Sequence, residues 1–255
     1  MNIHVIPCLD TRDGRVVKGV QFTNIRDAGD PAACAKAYEQ AGADEIVILD
    51  ISATTEGRQT VTETIEKVAA AVSLPITVGG GIRSVEEARR VIAAGATKVS
   101  INSAAVTRPE LIQELREAFG KERVVVAIDI ANTKDGWSVL TKGGGHDTGI
   151  DAVSWAKEAE ERGAGAILLT SLDQDGAQTG YHIAATRAVA EAVQIPVIAS
   201  GGAGRLEHFA EAVLEGKARG VLAASLFHDG VLTVREVKEY LRSCGIPVRW
   251  ERDTK

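Results

Sequence analysis

Eight short apolar runs recur along the chain, and longer, more polar segments with helical periodicity separate them. Short apolar runs without alternation are typical of parallel strands covered on both faces. The predicted strands are residues 5–9, 45–49, 76–78, 98–101, 124–128, 166–169, 196–199 and 220–223. Eight strands that alternate with helices predict an α/β fold, a closed (β/α)8 TIM barrel rather than an open sheet.

Local signals mark where some of these helices begin. Asp30 followed by Pro31 predicts an N-cap with proline at the first helical position. Ser84 with Glu87 three residues later predicts a capping box.

An internal repeat covers about half the chain length. Residues 44–57 align with 165–177, and residues 5–15 with 124–136. Residues 74–106 align with 195–227, with one extra residue in the second copy. In this alignment Asp10 corresponds to Asp129, and Asp50 to Thr170. A repeat of this length predicts two half-barrels, at about 1–120 and 121–245, in one domain over 1–255 with a tail at 246–255.

Composition narrows the class of function. The chain of 255 residues has 45% hydrophobic residues and a net charge of −6, which argues against binding nucleic acid or an anionic membrane. Its three scattered cysteines fit a reducing compartment, and neither a signal peptide nor a membrane segment is evident. The five histidines form no metal-binding spacing. We therefore expect a cytoplasmic protein with no metal site.

Polar side chains follow the predicted strands, where a barrel of this kind has its active-site mouth. They are Asp10, Asp50, Asn102, Asp129, Thr170, Ser200 and Ser225. A lone Asp after a strand is often only a turn or cap residue, and for Asp50 both readings carry about equal weight. Asp10 and Asp129 directly follow apolar runs at equivalent positions of the repeat. Two such carboxylates are able to divide acid and base work.

Glycine-rich turns occur in both halves and predict two phosphate sites. Gly80 and Gly81 precede one helix, and Gly201 and Gly202 precede another. Each turn is followed one unit later by a small strand end, Asn102-Ser103 or Ala224-Ser225. Backbone N–H groups in such turns bind phosphate without Arg or Lys, although a single glycine pair often serves packing alone.

Two further segments are candidates for contact with a ligand. Lys18 begins a long first connection, residues 18–30, of the kind that often forms a lid, although a surface lysine is the simpler interpretation. Residues 173–176 form either a plain turn or a catalytic loop. Their position after the sixth predicted strand favours ligand contact by Asp175 and Gly176.

Six segments together resemble the cyclase subunit of imidazole glycerol phosphate synthase. They are IPCLDTRDGRVVKGVQF, VGGGIR, KVSINSAAV, VVVAID, RGAGAILLTSLDQDG and IASGGAG, and the resemblance runs from about residue 3 to residue 249. It implies that ammonia reacts with a two-phosphate ribulosyl aminoimidazole carboxamide ribonucleotide. The implied products are imidazole glycerol phosphate and an aminoimidazole carboxamide ribonucleotide, with no redox cofactor.

The resemblance also implies roles for single residues. It makes Asp10 and Asp129 catalytic and Lys18 the loop lysine. It assigns one phosphate to Gly81, Asn102 and Ser103, and the other to Gly176, Gly202, Ala224 and Ser225.

The chain departs from the family pattern after the sixth strand. Gln174, Ala177, Gln178 and His182 stand where the family usually has a basic residue, Thr, a second basic residue and Asp. Residues 143–146 likewise lack the usual Arg-Lys pair. The lost positive charge is expected to weaken substrate binding.

Departures also occur on the opposite, N-terminal face, where the family has a charged ring at an ammonia entrance and docks a glutaminase subunit. Glu45 and Lys98 match that ring, whereas His4, Thr97 and Ala166 replace Arg, Asp and Glu. We therefore expect altered docking or ammonia gating.

Two other functions stay open at this stage. A sister isomerase of the same pathway shares the half-barrel repeat and both aspartates, although CLDTRDGRVVKG, INSAAV and ASGGAG favour the cyclase. A catalytically silent, phosphate-binding barrel is the second alternative, since a fold alone does not establish function.

Overall fold

The computed structural model describes residues 2–20, 23–51, 53, 56 and 60–250, without the side chains of residues 18–20 and 23–28. The strands are β1 His4–Arg12, β2 Arg15–Val20, β3 Thr23–Gly29, β4 Ile46–Asp50, β5 Ile76–Gly79, β6 Lys98–Ile101, β7 Val124–Asn132, β8 Trp137–Thr141, β9 His146–Asp151, β10 Ala166–Ser171, β11 Val197–Ser200 and β12 Gly220–Ala223. The helices are α1 Pro31–Gln40, α2 Thr62–Ala71, α3 Val85–Ala93, α4 Ser103–Thr107, α5 Glu110–Phe119, α6 Ala152–Arg162, α7 Ile183–Ala192, α8 Leu206–Leu214, α9 Ser225–His228 and α10 Val234–Ser243.

The predicted closed barrel is confirmed. Within the described residues, eight parallel strands pair in the ring order β1, β4, β5, β6, β7, β10, β11 and β12, and β12 pairs again with β1. In this ring β1 and β7 lie four strands apart in either direction, so they face each other across the barrel.

Two antiparallel extensions were not predicted from the sequence. β2 and β3 continue from β1, and β8 and β9 continue from β7, each beyond the barrel wall. The described residues of the connection that begins at Lys18 therefore lie largely on two strands, β2 and β3. That the connection acts as a lid stays a prediction.

Side chains divide between two apolar layers. The larger layer lies between the strands and the surrounding helices, while a smaller cluster fills the barrel interior. Interior residues share one parity along each strand, as for Ile6 and Cys8 on β1 and Val125 on β7. Because strand side chains alternate in direction, Asp10 and Asp129 have this interior parity, two residues beyond Cys8 and Ala127.

The strand register corrects the repeat alignment by one residue. Asp10 lies opposite Leu49, and Asp129 lies opposite Thr170. Leu49 is therefore the equivalent of Thr170, and Asp50 is the equivalent of Ser171. A slip of one residue reverses the side-chain direction, so Asp50 has the outward parity.

The predicted helix starts are largely confirmed. The Asp30 side chain accepts a hydrogen bond from Ala33 N at 2.9 Å, and the Ser84 hydroxyl accepts one from Glu87 N at 3.2 Å. The Glu87 carboxylate accepts from Arg83 N at 2.6 Å, so the reciprocal half of the predicted capping box is shifted by one residue.

The first and last described segments of the chain meet at the N-terminal face of the barrel. Ile3 N donates to Pro247 O at 2.8 Å. The buried Lys238 ammonium donates to Asp44 Oδ1 and to Arg249 O, both at 2.7 Å, and Asp44 Oδ2 accepts from Val5 N. None of the helices described here is long and apolar enough to cross a membrane.

Candidate active site

Asp129 lies in the interior of the mouth, in a setting that favours its neutral form. Burial raises the pKa of Asp129 to about 7, and the negative charge of Asp175 adds to this shift. A hydrogen bond from Asn102 Nδ2 to Asp129 Oδ2, at 2.9 Å, acts in the opposite direction. Near neutral pH the carboxyl is therefore divided between its protonated and ionised forms, which suits a group that transfers protons.

Asp10 lies across the barrel on β1 and is partly exposed. The Cys8 thiol, one interior position below, is 3.3 Å from Asp10 Oδ1 and donates to it. Cys8 was not among the site residues predicted from the sequence. Its position two residues before Asp10, with the same parity, is the signal that could have found it.

Both glycine turns contain a residue whose positive φ value is rarely adopted by residues that have a side chain. Gly80 and Gly201 have φ values of +93° and +85°. A Cβ at Gly80 would lie 2.2 Å from Asp50 O, and a Cβ at Gly201 would lie 2.6 Å from Ser171 O. The same close approach in both halves, onto equivalent residues, supports the corrected register.

The turns and short helices form two groups at the mouth, which we call the first and second cradles. The first consists of Gly80, Gly81, Asn102 and Ser103, after β5 and β6. The second consists of Gly201, Gly202, Ala224 and Ser225, after β11 and β12. In the ring order, one cradle lies in each of the two arcs between Asp10 and Asp129.

Asn102 joins the first cradle to an acid directly. Its Nδ2 contacts Asp129, while its Oδ1 is buried and has no hydrogen-bond partner among the described residues. Ser103 is bound to the β8–β9 turn, because its hydroxyl accepts from Lys142 N at 2.9 Å. An unsatisfied buried acceptor beside a titrating acid is typical of a ligand site.

The loop after β10 reaches the same mouth. Asp175 N donates to Ser171 O at 3.0 Å, and the Asp175 charge acts on Asp129. Gly176 follows with a φ value of +75°. Asp173 Oδ2 accepts from Asn132 N at 2.8 Å, which fixes the loop to the end of β7.

The departures from the family pattern in this loop have structural contacts. Gln174 Oε1 accepts from Thr179 Oγ1 at 2.5 Å. His182 is the N-cap of α7. Its Nδ1 accepts from Ala185 N at 3.3 Å, and its Nε2 lies 2.8 Å from Asn132 Oδ1. Ala177 and Gln178 are exposed.

The remaining predicted site residues differ in whether their side chains face the barrel interior. Thr170 and Ser200 have the interior parity and lie opposite each other in the β10–β11 register. Asp50 is buried, and its Oδ1 accepts from Ala53 N at 3.2 Å. Its contact is thus with a turn outside the barrel interior, in agreement with the interpretation of Asp50 as a turn residue. Lys18 lies on β2, and its side chain lies outside the described part of the chain.

At the N-terminal face, a charged pair closes the interior. The Lys98 ammonium is 2.6 Å from Glu45 Oε2, and Thr77 Oγ1 donates to Glu45 Oε1. Glu45 is only 2% exposed. Thr97 Oγ1 bonds to Ile76 N and O at 2.9 Å each, and His4 is exposed. Within the described residues, no group of His, Cys, Asp and Glu side chains could hold a metal ion.

The fold and the mouth together define a (β/α)8-barrel protein with two opposed carboxyl groups and two glycine-rich cradles. Residues 4–233 match a family model described as histidine biosynthesis protein. "Imidazole glycerol phosphate synthase subunit HisF" from Trichormus variabilis is 55% identical over 249 residues, which cover 96% of this chain and 97% of that protein. The protein of the same name from Microcystis aeruginosa is also 55% identical over 249 residues, covering 96% of this chain and 98% of the relative. The chain belongs to the histidine biosynthesis protein family.

Proposed function

We propose that this chain is a cyclase of histidine biosynthesis. It uses ammonia to convert a two-phosphate ribulosyl aminoimidazole carboxamide ribonucleotide to imidazole glycerol phosphate and an aminoimidazole carboxamide ribonucleotide. The observation that most supports this proposal is the position of Asp10 and Asp129 on facing strands, with one cradle in each arc between them. The HisF relatives, matched over nearly their whole length, support the same reaction.

Ammonia addition to a ketone, loss of water, cleavage of a C–N bond and ring closure all require proton transfers near neutral pH. A carboxyl with a pKa of about 7 is suited to donate a proton in one step and accept one in another. Asp10, hydrogen-bonded to Cys8, acts from the opposite side. Asn102 Oδ1 is placed to accept a hydrogen bond from substrate beside Asp129.

The two cradles hold the two phosphates and so place the reacting carbons between the acids. The first cradle binds one phosphate. The second, with Gly176, binds the other. Thr170, Asp175 and Ser200 border the substrate between them, and Asp50 supports the first turn from behind. Lys18, on β2, serves as the loop lysine of the family pattern. Backbone amides supply the binding, which is compatible with a net charge of −6.

The purified chain, mixed with this substrate at mildly alkaline pH, tests the reaction. Loss of substrate absorbance should require added ammonium. Conversion without ammonium would favour the sister isomerase. No conversion, together with retained binding of the two-phosphate substrate, would favour a silent barrel and overturn the proposal.

We further propose a glutaminase partner on the N-terminal face. The Glu45–Lys98 pair supports an ammonia entrance at this end of the barrel interior. His4, Thr97 and Ala166 remove charges that the family pattern places there, so the coupling is expected to be weak. Glutamine-dependent turnover with a family glutaminase should be less efficient than ammonia-dependent turnover. The double variant H4R/A166E should improve it, and equal efficiency in the unmodified chain would contradict altered gating.

We place the protein in the cytoplasm. Cys8, Cys34 and Cys244 are not joined in disulfides, which fits a reducing compartment.

A further inference from the structure

On its β12 side, β1 is paired only as far as Pro7. The β12–β1 pairing stops where Ala223 lies opposite Pro7, and the chain then turns into α9. His228, the last residue of α9, brings its Nε2 to 3.1 Å from Cys8 O. Because a carbonyl oxygen only accepts hydrogen bonds, Nε2 carries the proton and donates it. The helix that begins at the second cradle is thus bonded to the strand of Asp10.

Tyr38 fixes the other side of the same imidazole. The Tyr38 hydroxyl is 2.5 Å from His228 Nδ1, which has its lone pair free to accept once Nε2 holds the proton. Tyr38 is only 8% exposed, and burial raises its pKa well above the ordinary value. The hydroxyl therefore keeps its proton and donates. The Tyr38 ring also packs edge-on against Phe227, with centroids 6.3 Å apart.

These contacts lead to the carboxyl of Asp10. The Cys8 carbonyl oxygen accepts the hydrogen bond from His228, and the Cys8 thiol donates to Asp10 Oδ1 at 3.3 Å. A shift of α9 would therefore move the peptide and the thiol that border the acid.

The two halves of the barrel differ at this point. In the first half, Asn102 belongs to the cradle and contacts Asp129 itself. The residue at the equivalent position of the second half is Ala224, whose side chain has no polar atom. In the second half, His228 and Tyr38 therefore connect the cradle to Asp10 indirectly, through Cys8. The first-half equivalent of His228 is Val106, which has no hydrogen-bonding group in its side chain.

We infer that His228 is a positioning residue for the reaction, which with Tyr38 fixes the second cradle relative to Asp10. The inference rests on the proposed function for its kinetic readout. It adds to that function a division of work between the halves, in which each acid is held to its adjacent cradle by different residues.

Three variants and one control test this inference by ammonia-dependent steady-state kinetics. H228F keeps a ring and removes both hydrogen bonds, Y38F removes only the hydroxyl, and H228Q retains one donor and one acceptor. V91A shortens a side chain on α3 that is 2% exposed and serves as the stability control.

H228F should lower kcat by about tenfold or more and raise KM for the two-phosphate substrate, because both acid and cradle lose their alignment. Y38F should change both constants in the same directions by less, and H228Q should recover most of kcat. V91A should lower Tm and leave both constants within about twofold of the parent. A folded H228F with parental kcat and KM would overturn the inference. So would equal losses in H228F and H228Q. Should H228F fail to fold, parental constants in Y38F would overturn it.

A second measurement separates this inference from the proposed function. If the unmodified chain shows no ammonia-dependent turnover, the proposed cyclase fails. Titration with inorganic phosphate, followed by the amide NMR signals of Ser103 and Ser225, still tests the positioning. H228F should weaken the response at Ser225 and leave Ser103 unchanged, whereas equal responses at both in parent and variant would contradict it.

Discussion

Three interactions act on the pKa of Asp129, and they do not all shift it in the same direction. Burial and the Asp175 charge raise its pKa, while the hydrogen bond from Asn102 lowers it. The sequence predicted Asp129 and Asn102 as separate site residues, one catalytic and one phosphate-binding. Their contact depends on the β6–β7 pairing, which brings distant residues together, and no spacing along the chain encodes it.

Asn102 and Asp175 provide a matched pair of substitutions for the pH dependence. N102A removes a donor to the Asp129 carboxylate and should move the ionisation in the profile of kcat/KM towards alkaline pH. D175N removes a neighbouring negative charge and should move the same ionisation towards acid pH. Shifts in the same direction for both variants would contradict the environment assigned to Asp129.

The stability of the fold should also report the Asp129 ionisation. The pKa is 3.8 for an ordinary Asp and about 7 in the folded chain, so the folded state binds this proton more tightly. Its stabilising contribution is present at low pH and is lost as pH rises through about 7. In urea unfolding, D129N should gain stability relative to the parent from about pH 4 to about pH 7, and change little above this range. A difference that does not vary with pH would count against the raised pKa.

At the scale of elements, the eight barrel strands were predictable because apolar runs mark strands buried on both faces. The β8–β9 extension was not, since β9 has the sequence HDTGID, in which no apolar run occurs. The alignment of Asp50 with Thr170 was wrong by one residue because sequence similarity alone does not fix strand register. Asp10 and Asp129 were placed correctly in register, since both follow long apolar runs.

The backbone of each glycine turn passes so close to a neighbouring strand end that a side chain would not fit. G80A would place a Cβ 2.2 Å from Asp50 O, and we expect KM to rise about tenfold or more as the turn shifts. Gly245 has a φ value of +75°, and a Cβ there would meet no atom within 4 Å, so G245A is the matched control for backbone strain alone. Steady-state kinetics should show parental KM in G245A. Equal KM values in both variants would argue against the first cradle as a substrate site.

Across the whole molecule, the two half-barrels share the same arrangement of strands and glycine turns. They differ in the residues that connect each cradle to its acid. Near the N-terminal face, the Asp44–Lys238 pair connects the segment just before β4 to α10. Both side chains are almost fully buried, at 4% and 2% exposure for Lys238 and Asp44. The sequence could not predict this pair, because its partners are 194 residues apart.

Breaking this ion pair should destabilise the barrel without altering its chemistry. K238M leaves the Asp44 carboxylate buried without its cation and should cost about 3–5 kcal/mol in the free energy of unfolding. The double variant K238M/D44N removes the uncompensated charge and should recover part of that loss. Urea denaturation measures both, and a loss in K238M below about 1 kcal/mol would show that the pair contributes little.

We propose that Asp10 and Asp129 perform the chemistry while the two cradles hold the substrate. The most direct test measures ammonia-dependent kcat and substrate Kd for D10N and D129N. Each variant should lose kcat by at least about 10²-fold and keep a Kd close to that of the parent. Near-normal turnover in either variant would contradict the account.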